Sequence, residues 1–219
     1  MKVCTDSCLF GAWVAKKIEL KIFQPGTVLD IGSGTGLLSL MIAQKSNAII
    51  DAVEIDVNSF LQTKENFLKS QWNQRLHSFH ADVKNRNADS KYDLIITNPP
   101  FFEKDLKAAH HGKNIAMHNE ALTFTELLQS IKSNLAVDGN FAVLLPYHRI
   151  GYFKSLAMQN NFYLKEELLV KQTQKHDYFR GLLFFETKPS SLNFNEMTIK
   201  NHEKNYTEEF NSLLQDYYL

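Results

Sequence analysis

Alternating strand-like and helix-like segments predict an α/β fold in which a mostly parallel sheet is covered by helices on both faces. Three observations carry that reading. Short β-branched and aliphatic runs recur along the chain, with stretches of helical apolar spacing between them. The first run leads into glycines at 32, 34 and 36, as a strand does when it turns tightly into a helix. The last two runs are separated only by a polar segment, which predicts an antiparallel hairpin at one edge. Seven strands result. A chain of 219 residues suffices for one well-cored domain and is short for two, so residues 1–219 read as a single domain.

Taken in order, Thr27-Val28-Leu29-Asp30-Ile31 is the first buried strand, and Leu37 to Gln44 follows with apolar residues at helical intervals. Ala48 to Val53 is the second strand, closed by Glu54 and Asp56. Val57 to Lys69 is helical, and Leu76 to His80 is the third strand. Tyr92 to Thr97 forms the fourth, stopped by two prolines. Leu122 to Leu135 is a helix, Asp138-Gly139 a turn, and Phe141 to Leu145 a strand ended by Pro146. Ile150 to Gln159 is helical; Phe162 to Val170 and Leu182 to Thr187 are the final pair of strands. A closing helix over about 205–218 carries Phe210, Leu213, Leu214, Tyr217 and Tyr218 on one stripe, with Asn205 or Thr207 as its cap.

Composition excludes several classes. Hydrophobic residues make up 44% and charged residues 22%, ordinary values for a globular enzyme. With 24 basic and 24 acidic side chains the net charge is zero, so a nucleic-acid partner must be held by a local patch. No apolar run is long enough for a membrane helix, and the N-terminal stretch has no signal-peptide pattern; the expectation is a cytoplasmic protein. Cys4 and Cys8 lack further ligands at zinc spacing, and reduced thiols are expected.

The glycine loop alone fits dinucleotide or S-adenosylmethionine binding. Its spacing, Gly32-Ser33-Gly34-Thr35-Gly36, is G-x-G-x-G, and Asp30 stands two places before it, where a pyrophosphate would be repelled. S-adenosylmethionine carries an ammonium and a sulfonium and no phosphate, so a carboxylate suits it. Glu54 is placed for the ribose hydroxyls and Asp82 for the adenine amino group. The cofactor set read here is Asp30, Gly32, Ser33, Gly34, Gly36, Glu54, Ile55, Asp82, Val83 and Asn98.

Asn98-Pro99-Pro100-Phe101 is the candidate catalytic segment. A conjugated exocyclic amine is a poor nucleophile because its lone pair is delocalised. Two acceptors, the Asn98 side-chain oxygen and a backbone carbonyl such as that of Pro99, can take both N–H hydrogens and aim the lone pair at a methyl group about 3 Å away. The prolines stiffen the acceptors, and Phe101 offers a face for stacking. The segment selects a planar amino group without choosing among adenine N6, guanine N2 and a glutamine amide.

Lys2-Val3-Cys4-Thr5-Asp6, Leu9-Phe10-Gly11-Ala12-Trp13, Val28 to Ala43, Asp51-Ala52-Val53-Glu54, Asp93 to Phe102 and Asn205-Tyr206-Thr207-Glu208 together give a closer identification. Across nearly its whole length the chain resembles the bacterial tRNA1(Val) (adenine(37)-N6)-methyltransferase family, within the class I S-adenosylmethionine-dependent superfamily. The resemblance implies the seven-stranded Rossmann-like fold, methylation of adenine N6 in an anticodon loop, and Thr5 and Asp6 beside the methionine end of the cofactor. Departures are Phe101, where the family more often has Tyr, and Cys4, where Gly is common; the family pattern also extends ahead of Lys2. An anticodon-loop base is already unpaired, so extruding it costs less than opening a duplex. Six Lys/Arg against three acids lie between Pro146 and Gly181, and the loop after the catalytic segment adds further cations. Lys104, Lys107, Lys113, His118, Arg149, Lys171, Lys175 and Arg180 are therefore candidates for a phosphate-binding rim. His110-His111 lacks a third ligand, so no metal is expected, and no obligate protein partner is evident. The competing readings are a ribosomal-RNA guanine-N2 methyltransferase, a protein-glutamine N5 methyltransferase, a dinucleotide-dependent oxidoreductase and a binding module without catalysis.

Overall fold

The computed structural model describes residues 4–86, 91–99 and 122–217. The chain opens with α1 (Thr5–Glu19), followed by β1 (Thr27–Ile31), α2 (Leu37–Lys45), β2 (Ile49–Glu54), α3 (Val57–Lys69), β3 (Leu76–His80) and β4 (Tyr92–Thr97). Then come α4 (Phe124–Asn134), β5 (Leu135–Pro146), α5 (Ile150–Gln159), β6 (Tyr163–Thr173), β7 (Tyr178–Glu186), β8 (Asn193–Lys200) and α6 (Glu208–Leu214). The strands form one sheet in the order β3-β2-β1-β4-β5-β7-β6-β8. Strands β1 to β5 are parallel, while β7 runs antiparallel to both β5 and β6.

Strand alternation divides the core into two layers. Leu94 and Ile96 of β4, with Ala142 and Leu144 of β5, face α1, α2 and α6. Ile95, Phe141, Val143 and Leu145 face α4 and α5 instead. Thr123 and Glu126 form a reciprocal capping box at the start of α4, satisfying amides that the first helical turn leaves without partners. Helix α1 is buried almost all round, and its Lys17 (6% exposed) is no exception. The Lys17 ammonium donates to Glu166 on β6 at 2.6 Å and lies 4.2 Å over the Trp13 ring. Burial lowers the pKa of that ammonium despite the opposing pull of Glu166.

The α/β class and the reversed hairpin agree with the expectation, with corrections at the C-terminal side. Among the described residues the sheet has eight strands, because Asn193–Lys200 pairs parallel to β6. The hairpin is therefore not at the edge: β7 sits inside the sheet and β8 takes the edge. Strand β8 buries only Met197 and Ile199, so its sequence carries little apolar alternation. Asp138-Gly139 lies within β5; the register against β4 shifts there, and the strand continues across an irregularity. The closing helix is shorter than expected, with Thr207 as its cap, and it docks Phe210 and Leu214 into the α1 layer.

Gly36 caps α2 with φ +77°, and a Cβ built there would lie 2.6 Å from Phe67 Cε1 and 3.1 Å from Thr63 Cγ2. Left-handed strain and a clash with α3 coincide at this position. Gly36→Ala is expected to cost about 2–3 kcal/mol and to lower the melting temperature by roughly 5–10 °C, measurable by calorimetry.

Candidate active site

Strands β1, β2, β3 and β4 end together at one edge, and the strand order reverses direction between β1 and β4. Open α/β sheets bind ligands at such a crevice. A cavity of about 590 Å³ opens here, lined by the glycine loop, the β2 end with Ile55 and Asp56, the β3 end with Asp82 and Val83, and by Asn98, Ser7 and Cys4. The size suits a cofactor-sized molecule.

The loop is held by β2 on one side and α3 on the other. Gly32 N and Ser33 N both donate to Val53 O, at 2.9 and 3.2 Å. Gly34 N donates to Glu54 Oε2 at 2.8 Å, and Thr63 Oγ1 of α3 donates to Gly34 O at 2.7 Å. At Gly32, φ is +70° and a Cβ would meet no atom within 4 Å, so the main chain there fronts open space. Ser33 Oγ is buried without a hydrogen-bond partner, a polar atom left for a ligand. The opposite wall is acidic. Glu54 also accepts from Asp56 N at 2.9 Å, and Asp82 accepts from Lys84 N at 2.9 Å while lining the cavity. Among the described residues lining the cavity, Glu54, Asp56 and Asp82 face one lysine, Lys84. That balance favours a cationic ligand that brings hydroxyl and amino donors, and S-adenosylmethionine is such a molecule.

Asp30 departs from the expectation. The alternation of β1 turns its side chain toward the α1–α2 layer, where it is fully buried and lines no part of the cavity. Its Oδ2 accepts from Ser39 N at 3.2 Å and Ser39 Oγ at 2.7 Å, capping α2 from below the loop. Oδ1 has no partner. Burial pushes the carboxyl up to about 7, against the pull of the Ser39 donors. Gly36 is likewise a structural member, packed against Phe67 outside the cavity lining.

Asn98 is carried by the end of β4, which Thr97 ties to β1 through Oγ1 and Ile31 O at 2.9 Å. Asn98 Nδ2 donates to Ser7 Oγ of α1 at 2.8 Å, and Asn98 Oδ1 is buried without a partner. Pro99 is buried behind it; Pro100 and Phe101 lie outside the described residues. Thr5 and Asp6 do not line the cavity, and their neighbours Cys4 and Ser7 do. Asp6 instead binds Arg180 Nε of β7 at 2.8 Å. Burial raises the Asp6 carboxyl, but the Cys4 and Arg180 hydrogen bonds and the Arg180 charge outweigh it and hold the group below its ordinary value. Ser7 carries no local sequence signal, because it meets Asn98 only across 91 positions of chain.

The proposed phosphate rim is brought to the cavity edge in part. Arg180 pairs in register with Pro146 at the end of β5, so the β6–β7 turn projects from the same edge as Asn98. Lys175 is exposed in that turn. Lys171 lies 4.3 Å over the Tyr178 ring, and Tyr178 meets Tyr147 at 5.2 Å between ring centroids. The Arg149 guanidinium sits 5.2 Å from the Phe124 ring and 5.6 Å from that of Tyr152. Arg180 is committed to Asp6 and serves the fold of the site. Lys104, Lys107, Lys113 and His118 lie outside the described residues.

Comparison with known proteins gives the family. The family model for the methyltransferase small domain matches residues 13–172. The chain is 37% identical to the tRNA1(Val) (adenine(37)-N6)-methyltransferase of Christiangramia forsetii and 39% identical to that of Dyadobacter fermentans. Each alignment covers the whole chain and 91% of the relative. A relative of the same name from Proteus mirabilis is 35% identical, with 88% of its length covered. Among solved structures, a predicted O-methyltransferase from Agrobacterium tumefaciens superposes with TM-score 0.73 over 95% of both chains at 14% identity. A putative RNA methyltransferase from Pyrococcus horikoshii gives TM-score 0.58 over 80% of both chains at 18% identity, and these two likenesses establish the fold alone. With the family model across most of its length and these relatives across all of it, the chain belongs to the tRNA1(Val) (adenine(37)-N6)-methyltransferase family, built on the methyltransferase small domain.

Proposed function

We propose that this chain methylates the exocyclic N6 of adenine 37 in the anticodon loop of a valine tRNA, acting in the cytoplasm as one domain. The observation that carries the reading is Asn98 Oδ1, a buried carbonyl oxygen without a partner at the rim of the cofactor cavity. S-adenosylmethionine is the methyl donor and supplies an electrophilic sulfonium methyl group when bound. The glycine loop and Ser33 would hold its methionine end, Glu54 its ribose and Asp82 its adenine. Ile55 and Val83, which also line the cavity, would add apolar surface for the adenine.

The chemistry left to the protein is orientation. Asn98 Oδ1 and the Pro99 carbonyl accept the two hydrogens of a planar amine, which fixes the plane of the base and points the nitrogen lone pair at the methyl group. No described group is required as a strong base, because the amine becomes acidic only as it is alkylated and then loses its proton to water. The basic and aromatic β6–β7 turn, with Lys171, Lys175 and Arg149 nearby, supplies contacts for a loop backbone and splayed bases. No helix among the described residues is long and apolar enough to cross a membrane.

Incubation of labelled S-adenosylmethionine with unmodified tRNA, followed by mass analysis of the nucleosides, tests the reading. N6-methyladenosine at position 37 is the expected product. N2-methylguanosine, or labelled glutamine in a protein substrate with unlabelled RNA, would overturn it.

A further inference from the structure

We propose that Ser7 is a positioning residue for methyl transfer, its hydroxyl oxygen taking the Asn98 amide hydrogen and so presenting the Asn98 carbonyl oxygen to the substrate amine. The inference rests on Asn98 as the amine acceptor and goes beyond it by naming what sets the orientation of its amide.

A carboxamide has nearly the same shape after a half-turn about its last bond, so sterics alone do not decide which end faces the substrate. Only the oxygen is useful to an amine, since the –NH2 end would meet two N–H hydrogens with two of its own. Ser7 selects one end when its own hydroxyl hydrogen is given to Cys4 Sγ, because its Oγ can then only accept and the amide nitrogen is the end that fits. The Ser7 Oγ is 2.8 Å from Asn98 Nδ2, and the opposite atom of the amide is left without a partner. Cys4 Sγ lies 3.1 Å from the same Ser7 oxygen, and either sulfur or oxygen can donate across that contact. In both arrangements Ser7 keeps a lone pair for Asn98.

The serine is itself held. It is 8% exposed on the first turn of α1, and its amide donates to Asp6 Oδ1 at 3.1 Å. The other carboxylate oxygen of Asp6 is fixed by Arg180 from β7. A chain of contacts thus runs from β7 through the start of α1 to the Asn98 amide. Ser7 touches neither reacting atom, and it acts through Asn98.

The test is single-turnover methylation of an unmodified tRNA transcript by Ser7→Ala, Ser7→Thr and Asn98→Ala, with S-adenosylmethionine binding and melting temperature measured for each. Ser7→Ala is expected to slow methyl transfer about five- to tenfold, because the amide is no longer held in one orientation. Cofactor affinity is expected to stay within about twofold and the KM for RNA to be unchanged. Ser7→Thr, which keeps the hydroxyl, is expected to restore most of the rate.

A wild-type rate in Ser7→Ala would overturn the proposal. So would a loss shared equally by cofactor binding and melting temperature, or a Ser7→Thr variant with intact melting temperature that stays as slow as Ser7→Ala. The Asn98→Ala control separates the two readings. A fully active control overturns the role of Asn98 itself, whereas an inactive control beside a wild-type Ser7→Ala overturns only the positioning by Ser7.

Discussion

Asn98→Ala is expected to lower the rate constant for methyl transfer by about 100-fold or more, while S-adenosylmethionine binding changes by no more than about threefold. The separation follows from where the side chain sits. Asn98 is at the end of β4 with its oxygen unpartnered, whereas the loop and acids that form the cofactor walls are bonded among themselves. Removing the carboxamide therefore deletes one of two acceptors for the substrate amine and leaves the cofactor walls standing. Single-turnover kinetics with labelled donor, beside calorimetric titration of the cofactor, reads the two quantities independently. An alanine variant at the wild-type rate would remove this residue from the mechanism.

The second large effect concerns stability and its dependence on pH. Asp30 is fully buried, and its carboxyl is pushed from 3.8 up to about 7. A carboxyl that is harder to ionise in the folded state favours folding when protonated. Its contribution is therefore complete below the unfolded value near 3.8 and is lost as pH rises through about 7. Asp30→Asn removes the titration while keeping an oxygen for the Ser39 donors. The stability of the asparagine variant relative to the wild type is expected to rise steadily between pH 4 and pH 7 and to level off near pH 8. The accumulated change is roughly 4 kcal/mol, three pKa units at about 1.4 kcal/mol each. Denaturant titrations of the two ligand-free proteins across that range check it. A constant difference would mean that Asp30 does not titrate as its burial implies.

The fold was readable where one physical signal dominated. The β1 run before the glycines, β3, β4 before two prolines, and α3 and α5 with their apolar spacing have the expected bounds. Three elements were not readable, each for a different reason. Helix α1 is buried on all sides, so it lacks the polar stripe by which a helix is usually detected. Strand β8 is half exposed and held mainly by its pairing to β6, a contact that leaves no local pattern. Asp138-Gly139 has the chemistry of a turn and falls in the irregular stretch of β5 between the pairs Tyr92–Leu135 and Leu94–Asn140.

The same division applies to the site. Glu54, Asp82 and Asn98 were legible because strand ends at one edge of a parallel sheet must converge. The orientation of Asp30 was legible in principle from the alternation of β1, since residues 28 and 30 share a face and Val28 belongs to the α1–α2 layer. The link from Ser7 to Asn98 spans 91 positions and was out of reach of any local argument.

The clasp around α1 also bears on the order in which a growing chain acquires its abilities. The glycine-loop and acidic parts of the cavity lining lie between residues 31 and 84. Helix α1 is synthesised before any of them and packs on the early α2, yet its charged partners arrive late. Lys17 waits 149 residues for Glu166, and Asp6 waits 174 for Arg180. Lys45 of the adjoining α2 waits 171 for Asp216. On the ribosome, contacts of such separation form only after the distant partner has emerged. The glycine-loop and acidic walls of the cavity are thus synthesised well before the distant charged partners of α1 and α2.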